Sequence, residues 1–157
     1  MTDYSNHIAI IGAGISGLAL GCMLKKANIP AIIFERSSVV SNYGAGISIS
    51  PNGRDVLSYL EVDEVISKLS GNPKKALFFS NEVKITSIPS NVITTSRKIL
   101  HKSLLEKYLQ LDGDILFDHE LMDIDCENII IFFSNNSYSD LIWISLSQTK
   151  TKFVCCN

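Results

Sequence analysis

Gly12-Ala13-Gly14-Ile15-Ser16-Gly17, with Glu35 placed 18 residues beyond Gly17, is the part of this 157-residue sequence with the most definite chemistry. Each glycine in such a run has its own task. The first permits a tight turn, the second lets a pyrophosphate approach the backbone, and the third lets a helix lie close on a strand. N–H groups of that helix's first turn then point at phosphate. A carboxylate at the end of the next strand can hold ribose hydroxyls. Gly12, Ala13, Gly14, Ile15, Ser16, Gly17 and Glu35 are therefore expected to bind a dinucleotide. The competing reading is a glycine-rich helix start with an ordinary surface glutamate.

A strand, a helix and a second strand must hold these groups. Residues 7–11 (HIAII) are a short apolar, β-branched run of the kind buried on both faces of a parallel sheet. From 15 to 27 the spacing turns helical, with Lys25 and Lys26 in the last turn, where cations suit the helix dipole. Asn28 can take the left-handed C-terminal position and Pro30 stops continuation. Residues 31–34 (AIIF) are the second strand, which completes a right-handed βαβ unit of about thirty residues. Gly21 extends the close packing begun by Gly17. A membrane reading of 8–24 fails, because the run falls short of the roughly 18 to 20 apolar residues needed to span. It also lacks a basic flank and carries four glycines.

Downstream come Phe34-Glu35-Arg36, Tyr43-Gly44-Ala45-Gly46-Ile47, Ser50-Pro51-Asn52-Gly53 and residues 96–105 (SRKILHKSLL). In that order, and together with the glycine motif, they resemble the flavoprotein monooxygenases of the p-hydroxybenzoate hydroxylase class. Salicylate hydroxylase-like and tetracycline-degrading enzymes belong to it. The likeness covers residues 6–142 and matches the N-terminal part of that class. It implies FAD rather than NAD, with Glu35 on the adenosine ribose and Arg36 beside the adenine. It further implies that Ala45 contacts FAD, that Arg97 reaches the cofactor from its helix, and that the Leu121 backbone touches the adenine. The implied enzyme is a cytoplasmic oxidoreductase that uses NAD(P)H and O2 to hydroxylate a small aromatic or polycyclic compound. No catalytic residue and no metal are assigned.

The residues themselves bear on two of these roles. Thr94, Thr95 and Ser96 suit capping, and apolar residues at Ile99, Leu100, Leu104, Leu105, Tyr108 and Leu109 make 97–111 an amphipathic helix. Arg97 then lies in a first turn, where a cation is disfavoured. An anionic ligand accounts for that, and so does a solvated arginine offset by Glu106 or Asp112. Gly44-Ala45-Gly46 suits backbone passing close to a ligand, or a mobile loop.

The expected fold class is α/β: a Rossmann-type FAD-binding domain with a parallel sheet, an antiparallel β-meander and an incomplete substrate-domain sheet. The domain runs 1–142, with 72–92 as a fragment of the substrate sheet and 143–157 as an aberrant C-terminal tail. Ser50 and Pro51 open a helix reaching about residue 60, and another covers 62–69. Residues 114–117 read as a third parallel strand, and 119–126, 128–134 and 138–144 as the meander, with a tight turn at Asn135-Asn136. His101 and His119 read as surface or turn residues, and Asp123 and Asp125 as solvated. The class continues the strand after Asp140-Leu141-Ile142 into a Val-Gly-Ala-Asp-Gly-like turn, whereas this sequence continues Trp143-Ile144-Ser145-Leu146. A change of reading frame between Ile142 and Trp143 is the expected origin of that difference.

Net charge of −2 and pI near 5.9 leave no basic face for nucleic acid. Cys22, Cys126, Cys155 and Cys156 show no metal-ligand spacing, and free thiols in a reducing compartment are expected. Mean hydropathy of +0.20 fits buried parallel strands, or an apolar face without its cover that self-associates. Two other functions remain open: a non-enzymatic flavin-binding module, and a fragment of an NAD-dependent dehydrogenase.

Overall fold

The computed structural model describes residues 4–39, 45–125, 127–128, 130–140 and 143–146. In chain order the elements are β1 (Ile8–Ile11), α1 (Ile15–Lys26), β2 (Ala31–Phe34), β3 (Gly46–Ile49), α2 (Pro51–Tyr59), α3 (Asp63–Lys68), β4 (Lys75–Ser80) and β5 (Val83–Pro89). They continue with β6 (Ile93–Ser96), α4 (Arg97–Gln110), β7 (Asp114–Leu116), β8 (Leu121–Asp125), β9 (Ile130–Phe133), β10 (Tyr138–Asp140) and β11 (Trp143–Leu146). Two compact units result, 1–42 with 104–157 and 43–103, the division falling inside α4. No helix among the described residues is long and apolar enough to cross a membrane.

The first unit contains a wholly parallel sheet in the order β11-β1-β2-β7. β2 is buried at every position, as a strand covered on both faces must be. α1 is the crossover, and its end follows the residue types. Asn28 takes φ 57°, Ile29 N–H donates back to Leu24 O at 2.9 Å, and Lys25 Nζ donates to Asp112 O at 2.7 Å.

Tyr108 of α4 is completely buried in this unit, and its hydroxyl donates to Asp114 O at 3.2 Å and Ala31 O at 3.4 Å. Burial foremost, with the Asp114 charge next, holds its phenol well above the ordinary range. The ring needs bare neighbours. A Cβ at Gly21 would lie 2.7 Å from it, and one at Gly113 would lie 2.4 Å from it. Cys22 Sγ donates to Leu104 O nearby, and burial is the main cause pushing that thiol up to about 11.

The meander forms as the sheet β10-β9-β8, antiparallel throughout. Ile131 and Phe133 join Ala9, Ile32 and Phe34 in one buried cluster, with the Phe34 and Phe133 rings stacked at 4.6 Å. Asn136 at φ 62° makes the expected tight turn. His119 is more than a turn residue: its ring meets Phe133 edge-on at 4.9 Å and lies 5.7 Å from Phe34. Asp125 is not simply solvated, since it accepts from Asn128 Nδ2 at 2.7 Å and from the Glu127 and Asn128 N–H groups.

One expectation is corrected here. The third meander strand, expected over 138–144, ends at Asp140, and Trp143–Leu146 forms β11, pairing parallel with β1 from Ile8↔Trp143 to Ile11↔Leu146. An aromatic and β-branched run suits strand conformation. Leu141, Ile142 and residues 147–157 lie outside the described residues, and with them one side of the expected frame change.

The second unit pairs β3 with β6 and β4 with β5, both antiparallel, the latter two strands falling within the segment 72–92. α2 and α3 are tied by a two-pronged ion pair: Arg54 Nε to Asp63 Oδ1 at 3.0 Å and Arg54 Nη2 to Asp63 Oδ2 at 2.8 Å. The hydrogen bond from Arg54 holds the Asp63 carboxyl below its ordinary value. Pro51 opens α2 as expected, but Ser50 is a cap by position only, its hydroxyl donating to Asn52 Oδ1.

Gly113→Ala should lower unfolding stability by about 1 to 3 kcal/mol, because the new methyl overlaps a ring that is hydrogen-bonded in place. In an open loop the same change stabilises by about 0.4 to 1 kcal/mol. A urea midpoint that rises in this variant would contradict the packing described.

Candidate functional site

The strand register places the glycine turn and Glu35 side by side. β1 and β2 end level, with Ile11 opposite Phe34, so Gly12 and Glu35 leave the sheet together. Gly12 turns the chain at φ 101°, a left-handed conformation that favours glycine, while its N–H donates to Phe34 O at 2.7 Å. Gly17 is forced: a Cβ there would lie 2.0 Å from Gly12 O. Gly14 differs, since a Cβ there would meet nothing within 4 Å. It sits as N-cap of α1 with no side chain capping the helix. Open space at Gly14 beside an uncapped helix start is a cradle that an anionic group fits.

Glu35 is held from four directions. Its backbone N–H donates to Leu116 O at 2.8 Å and its carbonyl accepts from His119 N–H at 2.9 Å. Its carboxylate accepts from Ala13 N–H at Oε2, 2.8 Å, and from Ser37 N–H at Oε1, 3.0 Å. Partial burial acts to raise its pKa, but the bonds from Ser37 and Ala13, with the Arg36 charge, outweigh that and hold the carboxyl below its ordinary value. An ionised carboxylate has about four lone-pair sites, so the Ala13 N–H and the Ser37 N–H and hydroxyl still leave room for a ribose hydroxyl.

The other expected site residues fall into separate places. Arg36 is exposed directly after Glu35. Leu121 begins β8, opposite Phe133, and packs partly buried against the apolar cluster of the first unit. Ala45 and Arg97 come together in the second unit, where Arg97 N–H donates to Ala45 O at 3.1 Å. Arg97 is exposed in the first turn of α4, as expected. Of the three residues suited to capping that helix, only Ser96 is shown to do so, accepting from Ile99 N–H at 3.1 Å. Thr95 is instead buried in β6, its hydroxyl unpaired among the described residues. Ser37 and the Ala13 N–H are the site groups that sequence reasoning missed. Their part is played mainly by backbone N–H groups, which leave no mark in residue type, with the Ser37 hydroxyl adding a further bond.

A parallel βαβ unit with a tight glycine turn and an acidic residue at the end of its second strand is the arrangement of a Rossmann-type fold. Comparison with known proteins narrows this. No protein-family model matches the chain. It is 49% identical over 59 residues to the FAD-dependent monooxygenase pytG of Aspergillus terreus, over 38% of this chain and 18% of that protein. It is 41% identical over 63 residues to the 3-amino-4-hydroxybenzoate 2-monooxygenase PtmB3 of Streptomyces platensis, over 38% of this chain and 16% of the relative. Among solved structures, the tetrameric form of 2-methyl-3-hydroxypyridine-5-carboxylic acid oxygenase superposes with a TM-score of 0.83 at 21% identity. That match covers 89% of this chain and 38% of the oxygenase, and it speaks for the fold. By sequence, part of the chain is similar to FAD-dependent monooxygenases, and its fold matches that of the oxygenase. It spans well under half the length of the relatives it matches.

Two glycines of the turn should separate on substitution. Gly17→Ala should unfold the ligand-free chain at a clearly lower temperature, whereas Gly14→Ala should stay within about 0.5 kcal/mol of the parent. Thermal unfolding without cofactor checks this, and the reverse order would mean that α1 is not seated on the Gly12 carbonyl.

Proposed function

We propose that this chain binds FAD and is part of an NAD(P)H- and O2-dependent hydroxylase of small aromatic or polycyclic compounds. One observation carries the reading: Gly14 offers open space at an uncapped helix start, while Glu35 is held ionised beside it. The names of the relatives support FAD as the dinucleotide and an aromatic ring as the substrate. In this reading the first-turn N–H groups of Ile15, Ser16 and Gly17 take the pyrophosphate and Glu35 accepts the ribose hydroxyls. Arg36 and the Leu121 backbone serve the adenine, and Ala45 and Arg97 make further cofactor contacts. Bound FAD supplies the oxygen-transfer chemistry, and NAD(P)H supplies electrons. The chain's residues bind and orient it. A cytoplasmic location, where NAD(P)H is available, goes with the same reading.

Titration with FAD, followed by flavin fluorescence, should give saturable binding that NAD does not displace. Glu35→Ala should weaken it by about 1.5 to 3 kcal/mol through lost charge-assisted hydrogen bonds. Gly14→Val should do worse by filling the cradle. Tighter binding of NAD than of FAD would make the chain a dehydrogenase fragment instead. Oxygen uptake with a hydroxylated product marks a hydroxylase, and NADH oxidation that yields only hydrogen peroxide marks a flavin-binding module.

Self-association is the second part of the proposal. The β4–β5 hairpin exposes Leu77, Phe78, Phe79, Val83, Ile85 and Ile88, with Phe79 58% and Val83 68% exposed. Apolar side chains exposed in such number on one hairpin favour pairing with another surface. Sedimentation should show concentration-dependent association that Phe79→Lys with Val83→Glu abolishes. An unchanged distribution in the double variant would place the contact elsewhere.

A further inference from the structure

We infer that Glu35 is a positioning residue that sets the glycine turn in its binding shape before any cofactor arrives, by clamping Ala13 N–H and Ser37 N–H with one carboxylate. The inference rests on the dinucleotide reading for its purpose, but its geometry belongs to the ligand-free chain. Ala13 lies between Gly12, whose left-handed conformation L residues avoid, and the extended helix N-cap Gly14. Its N–H is met by a side chain 22 residues away, at 2.8 Å. That side chain starts from an immobile base, since both backbone groups of Glu35 are tied to the end of β7 and the turn after it. The second oxygen fastens the chain leaving β2, through Ser37 N–H at 3.0 Å. One carboxylate thus joins the turn after β1 to the turn after β2.

Only an ionised carboxylate can do this in full. Protonation turns one oxygen into a donor, and an amide at the same position faces one of the two N–H groups with its own NH2. Residues 12–17 carry no titratable side chain. Arg36 adjoins Glu35, while Asp118 and His119 lie on the turn packed against it; Asp118 N–H reaches Ser37 O at 3.4 Å and His119 Nδ1 meets Phe117 O. The sign of the linkage follows from the lowered folded-state pKa. The clamp is complete above the unfolded glutamate value of about 4.3, and it is lost as pH falls through the lower folded value.

The test uses amide NMR of the full chain without flavin. The Ala13 and Ser37 amide protons should shift together on acidification, with one common midpoint below about 4.3 that is unchanged in His119→Gln. Glu35→Gln should abolish both titrations and speed exchange of the Ala13 amide by about tenfold or more, equivalent to about 1.4 kcal/mol. Glu35→Asp, charged but shorter, should restore the titration of only one of the two amides. Because the parent chain is itself titrated, the clamp stays testable if a variant fails to fold. Independent midpoints, or an Ala13 amide that does not titrate, would overturn the clamp. FAD binding is read separately by fluorescence, so a chain that titrates as expected but ignores FAD would refute the cofactor reading and leave the clamp standing.

Discussion

The approach of Gly17 to the carbonyl oxygen of Gly12 is the constraint on which the first unit depends. No side chain fits between them, so α1 starts directly on the turn that ends β1. From this contact follow the close seating of the helix along the sheet and the need for Gly21 further along it. The Tyr108 ring fills the next gap, held by two carbonyl oxygens from the starts of β2 and β7. Helix, sheet and α4 residue are thereby fixed by sterics and a few directed bonds.

The same contact creates what is chemically useful. Gly14 at the N-cap has no side chain to cap the helix, and it leaves the space above the first turn open. Glu35 supplies the complementary part. Parallel pairing brings its carboxylate to the turn, and backbone donors keep it charged despite partial burial. A positive helix end for phosphates and a fixed acceptor for hydroxyls are the two halves of a nucleotide site.

The βαβ unit was legible in the sequence because its signals are local. Apolar runs, helical spacing, Asn28 at the C-terminal position and the glycine spacing all act within a few residues of where they stand. The meander strands and the start of α4 were legible for the same reason. What escaped depends on distant partners. Thr94 and Thr95 look like helix caps in sequence, but antiparallel pairing with Ser48 and Ile47 makes them strand. Trp143–Leu146 looks like the end of a meander or a tail, and only the free edge of β1 makes it a parallel strand. Tyr108 reads as one apolar helix position among several, since nothing near it in sequence announces Gly21. The pair of hydrogen bonds that Glu35 accepts from Ala13 and Ser37 N–H was hidden because any residue type can offer a backbone N–H.

A crystal structure of the chain grown with FAD tests the central claim most directly. The account predicts the pyrophosphate against Gly14 and the first turn of α1, with the adenosine ribose hydroxyls within hydrogen-bonding distance of the Glu35 carboxylate. Flavin bound with its pyrophosphate away from this turn, or with Glu35 turned away from the ribose, would contradict it.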